Sequence, residues 1–193
     1  MADSVAPHAV QPLLEGRFGS GIYRYEDTVA STQRLLDDTD PEGAVAVAEQ
    51  QSEGRGRLGR SWHAPHGSSV LVSVLLTPAV PSERLPELSL VAGGAVAEAI
   101  KDTTGIEPAV KFPNDVLIGG RKVAGILAES KEGRVVLGVG VNVHQRAEEL
   151  HAGAPTAPTS LDLELGAPVD RGLLLAAILN RLERAYDRWV SGI

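Results

Sequence analysis

The first half of the chain alternates short β-type runs with amphipathic segments. Residues 22–25 and 44–49 mix apolar and polar or small side chains, and 69–76 is a continuous apolar run, so each predicts a strand. Residues 31–38 predict a short helix. A longer helix is predicted over 81–105, where apolar residues recur at helical spacing between a Pro-Ser start and a glycine end.

The second half of the chain predicts four short strands and a closing helix. Tight turns at 119–120 and 131–133 require the strands that they join to run antiparallel. Residues 170–190 carry apolar side chains at helical spacing behind Asp170, which suits an N-cap. Early helices, an antiparallel meander and a final helix together predict an α+β fold. The four strands are predicted over 110–112, 116–118, 122–129 and 134–143.

Length and composition indicate one globular domain. The chain has 193 residues, of which 43% are hydrophobic and 22% charged, enough to bury a core without disulfides or a metal. The absence of cysteine excludes a disulfide scaffold, a thiolate nucleophile and a cysteine-ligated metal. The net charge of −7 argues against a general nucleic-acid-binding protein. No apolar run approaches the roughly 20 residues of a membrane span, and the start of the chain lacks a signal-peptide pattern. We therefore expect a cytoplasmic protein.

Positive charge is concentrated in one glycine-rich segment, residues 54–60, Gly-Arg-Gly-Arg-Leu-Gly-Arg. The segment matches the G-x-G-x-x-G dinucleotide fingerprint, but residues 61–67 cannot form the apolar helix that a Rossmann unit requires next. We therefore interpret it as a loop in which backbone N–H groups and Arg55, Arg57 and Arg60 bind a phosphate or carboxylate. A solvated turn with incidental arginines is the alternative.

Two lysines stand in motifs that are suited to nucleotide or anion binding. In residues 111–115, Lys-Phe-Pro-Asn-Asp, the proline takes the chain out of the sheet. Lys111 or Asp115 would then lie beside a nucleotide, the aspartate through a magnesium ion; a simple Asx turn is the alternative. Further on, Lys122 precedes Gly125, a mid-strand glycine of the kind that lets a ligand approach. Together they indicate an anion held over a glycine floor, with a solvated edge lysine as the alternative.

Residues 138–143, Gly-Val-Gly-Val-Asn-Val, alternate with the period of a strand. The valines then face the core, and the opposite face carries only Gly138, Gly140 and Asn142. We interpret this face as the floor under a flat ligand whose polar edge contacts Asn142. A strand packed closely against another element is the alternative. The histidines do not form a metal-ligand pattern; they stand at 8, 63, 66, 144 and 151.

In order and spacing, these motifs resemble the catalytic domain of biotin protein ligases. The likeness covers about residues 22–189 and rests on Ser31-Thr32-Gln33 together with the segments 51–60, 111–115, 122–129 and 138–143. The resemblance implies a mixed, largely antiparallel sheet with helices mainly on one face. It also implies adenylation of biotin by ATP and Mg²⁺ to biotinyl-5′-AMP, followed by transfer to a lysine of a biotin carboxyl carrier protein. No nucleic-acid or membrane partner is implied.

The resemblance also assigns roles to single residues. Lys122 and Arg57 are expected to be catalytic, Lys122 by contacting the biotin carboxylate and then the phosphate. Fixed cations suit a step that joins two anions, above all in a site closed to water. The residues expected to bind biotin are Ser31, Thr32, Gln51, Arg55, Lys122 and Gly125. Those expected to bind ATP or the adenylate are Arg57, Arg60, Trp62, Lys111, Asn114, Asp115 (through Mg²⁺) and Asn142, with no direct structural metal site.

The chain departs from the family pattern in several places. Gln33 stands where asparagine is expected, and Phe112 stands where tryptophan is expected. Residues 1–20 are broken by prolines and glycines and predict a loose arm ahead of a catalytic domain at 21–193. We expect neither a DNA-binding winged helix nor repressor activity. The small C-terminal SH3-like domain of the family is also expected to be absent, which would impair adenylation or transfer.

Two other functions stay open from the sequence. Lipoate–protein ligases share the fold and the adenylation chemistry, although the arginine-rich segment at 54–60 favours biotin. A biotin-binding module without ligase activity is the alternative that is not an enzyme.

Overall fold

A seven-stranded mixed sheet lies at the centre of the fold. The computed structural model describes residues 3–150 and 155–192. The strands are β1 (Tyr23–Val29), β2 (Val45–Gln51), β3 (Ser69–Leu76), β4 (Ala109–Lys111), β5 (Asp115–Ile118), β6 (Arg121–Lys131) and β7 (Arg134–Asn142). Their order across the sheet is β1-β2-β3-β7-β6-β5-β4. Neighbours are antiparallel except β1 and β2, which are parallel.

Two long helices cover one face of this sheet. The helices are α1 (Pro7–Val10), α2 (Leu88–Thr104), α3 (Leu161–Leu165) and α4 (Arg171–Ser191), and α2 and α4 pack together against the strands. Val70 and Val72 on β3, and Val139 and Val141 on β7, are buried in the core that these helices close. Because side chains alternate along a strand, the intervening residues face the other side. The predicted α+β fold is confirmed.

The helix predicted over 31–38 is wrong in extent, because only Thr32–Leu35 forms a 3₁₀ turn. The backbone N–H of Thr32 donates to the side chain of Gln51 on β2, 2.8 Å away. Leu36 is already extended and lies in a small buried cluster on the sheet. These tertiary contacts outweigh the local helix propensity and limit the segment to one turn.

The helix predicted over 81–105 begins later than expected. Ser82–Glu87 forms a 3₁₀ segment that contains Pro86, and α2 begins only at Leu88. Proline lacks an N–H group and disfavours helical geometry in the residue before it, so a regular α-helix starts after it. The predicted end is confirmed, since Gly105 caps α2 with φ +75°.

Residues 3–20 are packed on the domain, which differs from the predicted loose arm. The segment contains α1 and a 3₁₀ turn, Gln11–Leu13. Val5, Val10 and Phe18 are buried, and the Tyr23 hydroxyl donates to the carbonyl of Val5 at 2.6 Å. The prolines and glycines of this segment led to the wrong prediction. Three well-spaced apolar side chains are enough to anchor a segment that is otherwise rich in turn residues.

The closing helix agrees with its prediction. Asp170 caps α4 by accepting a hydrogen bond from the N–H of Leu173 at 3.0 Å, and the helix extends to Ser191. The short helix α3 was not predicted. Among the described residues, none of the helices has the length and apolar character needed to cross a membrane.

Candidate functional site

A cavity of about 830 Å³ lies on the face of the sheet that α2 and α4 leave uncovered. Gly138 and Gly140 of β7 and Leu71 and Ser73 of β3 form part of its floor, in alternation with the core valines. The cavity brings together every candidate residue named from the sequence. These are Ser31, Thr32, Gln51, Arg55, Arg57, Arg60, Trp62, Lys111, Asn114, Asp115, Lys122, Gly125 and Asn142.

One end of the cavity carries neutral hydrogen-bonding groups. Ser31 and Thr32 are buried there. The side-chain oxygen of Gln51 accepts from both the N–H and the hydroxyl of Thr32, at 2.8 and 3.2 Å. The Thr32 hydroxyl also lies 2.8 Å from that of Ser73. Because the oxygen of Gln51 is occupied, its amide nitrogen is left to donate to a ligand.

The other end of the cavity is cationic. Among the described lining residues, five are basic (Arg55, Arg57, Arg60, Lys111 and Lys122) and one, Asp115, is acidic. Of these, Arg55 has its guanidinium on Glu129, near the neutral end, and so does not belong to this end of the cavity. The Lys122 ammonium forms an ion pair with Asp115 at 2.6 Å, and both side chains are largely buried. The Lys122 N–H donates to the carbonyl of Ala157, and the Thr159 N–H donates to the carbonyl of Lys122, each at 2.8 Å. These two backbone hydrogen bonds hold the lysine in place.

Strand register places glycines between these two ends. Ser73 on β3 lies opposite Gly138 on β7, at the neutral end. Gly140 lies opposite Gly125 on β6, and Lys122 comes three residues before Gly125 on the same strand. The cavity therefore runs from neutral donors and acceptors, over a floor without side chains, to a group of fixed cations.

The indole of Trp62 lies on this glycine floor. A Cβ atom at Gly140 would stand 2.7 Å from Trp62 Cε2, and one at Gly125 would stand 3.0 Å from Cζ3. The first distance is too short for a real contact, so Gly140 has no room for a side chain while Trp62 lies there, and the second is tight enough that the indole would have to shift. The sequence predicted a flat ligand on these glycines, and the structure places a flat side chain of the chain itself there. The Lys122 ammonium is 5.7 Å from its ring centroid.

The arginine loop, residues 54–62, folds back on itself beside the cavity. Trp62 N–H donates to the carbonyl of Gly54 at 2.8 Å, and Gly56 N–H donates to that of Arg60 at 2.7 Å. Leu58, at its tip, is 88% exposed and has φ +59°, a strained conformation for a leucine. Within the described part of the chain, Arg57 forms no ion pair and neither does Arg60, so both guanidinium groups are free for an anion.

Two of the predicted ligand-binding amides are engaged by the protein backbone. Asn114 Nδ2 donates to the carbonyl of Ile126 at 2.8 Å, which fixes the 111–115 turn to β6. Asn142 Nδ2 donates to the carbonyl of Thr159 at 3.0 Å, and its oxygen accepts from Gln145 at 3.0 Å. Both residues line the cavity, but these bonds use their side chains to hold its walls.

The described residues contain no cluster of three or more histidine, aspartate or glutamate side chains placed to hold a metal. His63 lines the cavity. His66 lies 2.8 Å from Asp27, and His144 lies 2.8 Å from Asp162, so these two rings have partners elsewhere. His151 lies outside the described residues.

The sequence profile of the Biotin/lipoate A/B protein ligase family matches residues 25–145. The chain belongs to this family. A biotin--[acetyl-CoA-carboxylase] ligase of Mycobacterium tuberculosis is 40% identical over 183 residues, which cover 89% of this chain and 67% of that protein. The bifunctional ligase/repressor BirA of Bacillus spizizenii is 37% identical over 86% of this chain. The chain spans about half, 54%, of the Bacillus protein's length.

This chain has the same fold as a solved structure of a biotin protein ligase from Aquifex aeolicus, in complex with biotin and ATP. The TM-score is 0.80 and the sequence identity 32%, with 89% of this chain and 72% of that chain covered. The mixed sheet with helices on one face, which the resemblance implied, is therefore confirmed.

Sequence reasoning did not identify one polar residue that lines the cavity, Ser73, or the partner of another lining residue, Glu129. Ser73 contacts Thr32 at the neutral end, and its signal was a serine inside the otherwise apolar run 69–76. Glu129 pairs with Arg55 at 2.7 Å. It had no local signal, because a carboxylate near the end of a strand is ordinarily a solvated charge.

Replacing Gly54 with alanine is expected to weaken ligand binding by about 10- to 100-fold, because strain of about 1–3 kcal/mol from an added methyl group corresponds to roughly that loss of affinity. An added Cβ would overlap the carbonyl oxygen of Trp62, which is backbone, so the arginine loop must move. Calorimetric titration with biotin and an ATP analogue measures the effect. The control is Gly94→Ala on α2, where the added methyl group meets only open space. Equal affinities for the two variants would contradict the prediction.

Proposed function

We propose that this chain, over residues 21–193, is the catalytic domain of a biotin protein ligase. The observation that carries the proposal is the polarity gradient along one cavity. Thr32 and Gln51 suit a neutral ring that both donates and accepts hydrogen bonds, as the ureido ring of biotin does. Lys122 lies beyond the glycine floor, where the carboxylate at the other end of biotin would meet ATP.

The relatives support this assignment of ligands. The Aquifex aeolicus ligase, 32% identical, was solved with biotin and ATP, and the Mycobacterium tuberculosis relative is named as a biotin ligase that acts on acetyl-CoA carboxylase. We infer the same pair of substrates here, and a biotin carboxyl carrier protein as the acceptor. The proposed setting is the cytoplasm, since the reaction consumes ATP and a chain without cysteine has no use for an oxidising compartment.

The first step joins two anions. A carboxylate oxygen of biotin attacks the α-phosphorus of ATP, the bond from that phosphorus to the pyrophosphate oxygen breaks, and pyrophosphate leaves with the electron pair. Lys122, Arg57 and Arg60 offset the repulsion between the reactants and stabilise the charge that develops on the phosphate oxygens. The neutral end orients biotin so that its carboxylate lies beside Lys122, which makes the reaction effectively intramolecular.

The second step transfers biotin to the carrier. The uncharged amine of a carrier lysine attacks the acyl carbon of biotinyl-5′-AMP, AMP leaves with the bonding electrons, and the nitrogen releases a proton. The mixed anhydride hydrolyses readily, so exclusion of water between the steps decides the yield. The arginine loop, with Trp62 on the glycine floor, is placed to provide that cover.

Magnesium fits this site as an ion held mainly by the ATP phosphates. Asp115 is the one carboxylate among the described lining residues, and Mg²⁺ with nucleotides typically uses one or two carboxylates plus phosphate oxygens and water. Asp115 would hold the ion, which when bound would reduce the negative charge of the triphosphate. Because Asp115 also pairs with Lys122, both groups are kept at the place where phosphate must bind.

Pyrophosphate release in a single turnover tests the proposed function. The purified protein is mixed with ATP and Mg²⁺ and with biotin or lipoate, and ATP alone serves as the control. We expect pyrophosphate with biotin and none above control with lipoate. Release with lipoate only would make the chain a lipoate ligase. Biotin binding without pyrophosphate release would make it a binding module, and either result would overturn the proposal.

A further inference from the structure

Arg55 lines the cavity, but its guanidinium is bound by a carboxylate that lies outside the lining. Its two terminal nitrogens bind the two carboxylate oxygens of Glu129, at 2.7 and 2.9 Å. This paired geometry is the strongest that arginine forms with a carboxylate. Glu129 lies on β6, where it pairs with Val136 of β7, so its position is set by the central sheet. Glu129 does not line the cavity.

The arginine loop has few other attachments to the sheet. The backbone hydrogen bonds that the described structure gives to residues 54–62 join the loop to itself, and Arg55 forms an isolated bridge with Ser61 across its base. The indole of Trp62, resting on Gly125 and Gly140, supplies an apolar contact. The Lys122 ammonium on β6 lies 5.7 Å from the centroid of that ring. Among the described residues, Arg55–Glu129 is the ion pair between the loop and β6.

We propose that Glu129 is a positioning residue that keeps the arginine loop closed over the cavity through Arg55. The proposal rests on the proposed ligase function and adds a residue that touches no substrate. With the pair formed, Arg57 and Arg60 stay at the cationic end and the adenylate is covered. When the pair is broken, the loop opens more often, and biotinyl-5′-AMP escapes to water before it meets the carrier.

The expected effect is modest because the pair is partly exposed; the side chains of Arg55 and Glu129 are 47% and 37% accessible. Pairs of this kind shift an equilibrium by about two- to fivefold. In Glu129→Gln, which keeps the size but loses the charge, we expect pyrophosphate release without carrier to rise by about that factor, because the product leaves faster. The biotin delivered to carrier per pyrophosphate should fall. A merely structural role would lower both.

A matched control lies at the base of the same loop. Glu53 pairs with Arg34 at 2.7 Å, both side chains are more than half exposed, and neither residue lines the cavity. Glu53→Gln therefore removes an ion pair of similar length and should leave pyrophosphate release and delivery to carrier unchanged. Equal effects in Glu53→Gln and Glu129→Gln would overturn the proposal.

Exchange of the two charges tests the pair itself. Arg55→Glu alone and Glu129→Arg alone should open the loop, and the double variant should restore closure at least in part. Loop closure is read without turnover by acrylamide quenching of Trp62 fluorescence, because the other tryptophan, Trp189, is buried in the core. Singles that quench like wild type, or a double variant as open as the singles, would overturn the proposal.

The two readouts separate this inference from the proposed function. If no protein, wild type included, releases pyrophosphate with biotin, the proposed function fails. The quenching series on the same proteins still decides whether the pair closes the loop. If wild type releases pyrophosphate but the Glu129 variants match it in pyrophosphate release without carrier, in biotin delivered per pyrophosphate and in acrylamide quenching, only the role of Glu129 fails.

Discussion

Replacing Lys122 with alanine is expected to slow formation of biotinyl-5′-AMP by about 100- to 1,000-fold, the range seen when one fixed group that stabilises transition-state charge is removed. Lys122 is held from both sides by backbone bonds, and its ammonium lies at the cationic end of the cavity. It is therefore already in place when charge develops on the phosphate, and little reorganisation is needed. Single-turnover pyrophosphate release measures the loss.

Part of this loss comes from Asp115. The Lys122 ammonium is 2.6 Å from that carboxylate, and only about a quarter of the lysine side chain and a fifth of the aspartate side chain are accessible. Without the lysine, a poorly solvated negative charge faces the incoming phosphates. The double variant Lys122→Ala with Asp115→Asn removes that charge but keeps a side-chain oxygen for Mg²⁺, so it should be faster than Lys122→Ala alone, although slower than wild type.

Lys131→Ala is the matched control for this series. Lys131 stands at the far end of the same strand, is 72% accessible and lies 3.6 Å from Asp38, so its removal should leave adenylation unchanged. Thermal unfolding of each variant checks that the fold is retained. Wild-type turnover in Lys122→Ala would refute the role that we give to this lysine.

Period-two alternation made much of the sheet and the cavity floor predictable. The run 69–76 coincides with β3, and the Gly-Val-Gly-Val-Asn-Val segment puts its valines in the core and its glycines in the cavity. Such a pattern can be recognised from neighbouring residues alone, because consecutive side chains of a strand point to opposite faces. Single motifs therefore indicated which residues would line a common site.

Side-chain partners could not be predicted in this way. Arg55 stood in an apparently uniform run of arginines, yet its partner Glu129 is 74 residues away in the sequence. Asn142 is predicted as a ligand contact, and its hydrogen bond to the carbonyl of Thr159 could not be foreseen. Pairings of this kind depend on which strands are neighbours in the sheet, and the order β3-β7-β6 is a property of the whole fold. Local patterns do not contain that information.

The buried arginine at the start of α4 holds three distant parts of the chain together. The Arg171 guanidinium donates to Asp3 at 2.7 Å, to Glu49 at 2.6 Å and to the carbonyl of Ser69 at 3.2 Å, and the residue is only 4% exposed. Burial alone would lower the pKa of Arg171, but its hydrogen bonds to Glu49 and Asp3 outweigh burial and raise that pKa. The network fastens residues 3–20 to β2 and β3.

Arg171→Ala is expected to lower the free energy of unfolding by about 3–5 kcal/mol, because it leaves the buried Glu49 carboxylate without its cation. Urea denaturation measures the change. Arg181→Ala is the control on the same helix. Arg181 also faces two carboxylates, Asp102 and Glu98, but its side chain is 35% accessible, so this substitution should cost no more than about 1 kcal/mol.

The same comparison should depend on pH through Asp3. Burial raises the pKa of Asp3, and hydrogen bonds from Arg171 outweigh this effect and lower that pKa below 3.8. The stability from that pair is therefore present above pH 3.8 and is lost as the pH falls further, so the difference between wild type and Arg171→Ala should shrink there. If Arg171→Ala and Arg181→Ala lower the free energy of unfolding equally at neutral pH, burial does not strengthen the Arg171 network, and the prediction is wrong.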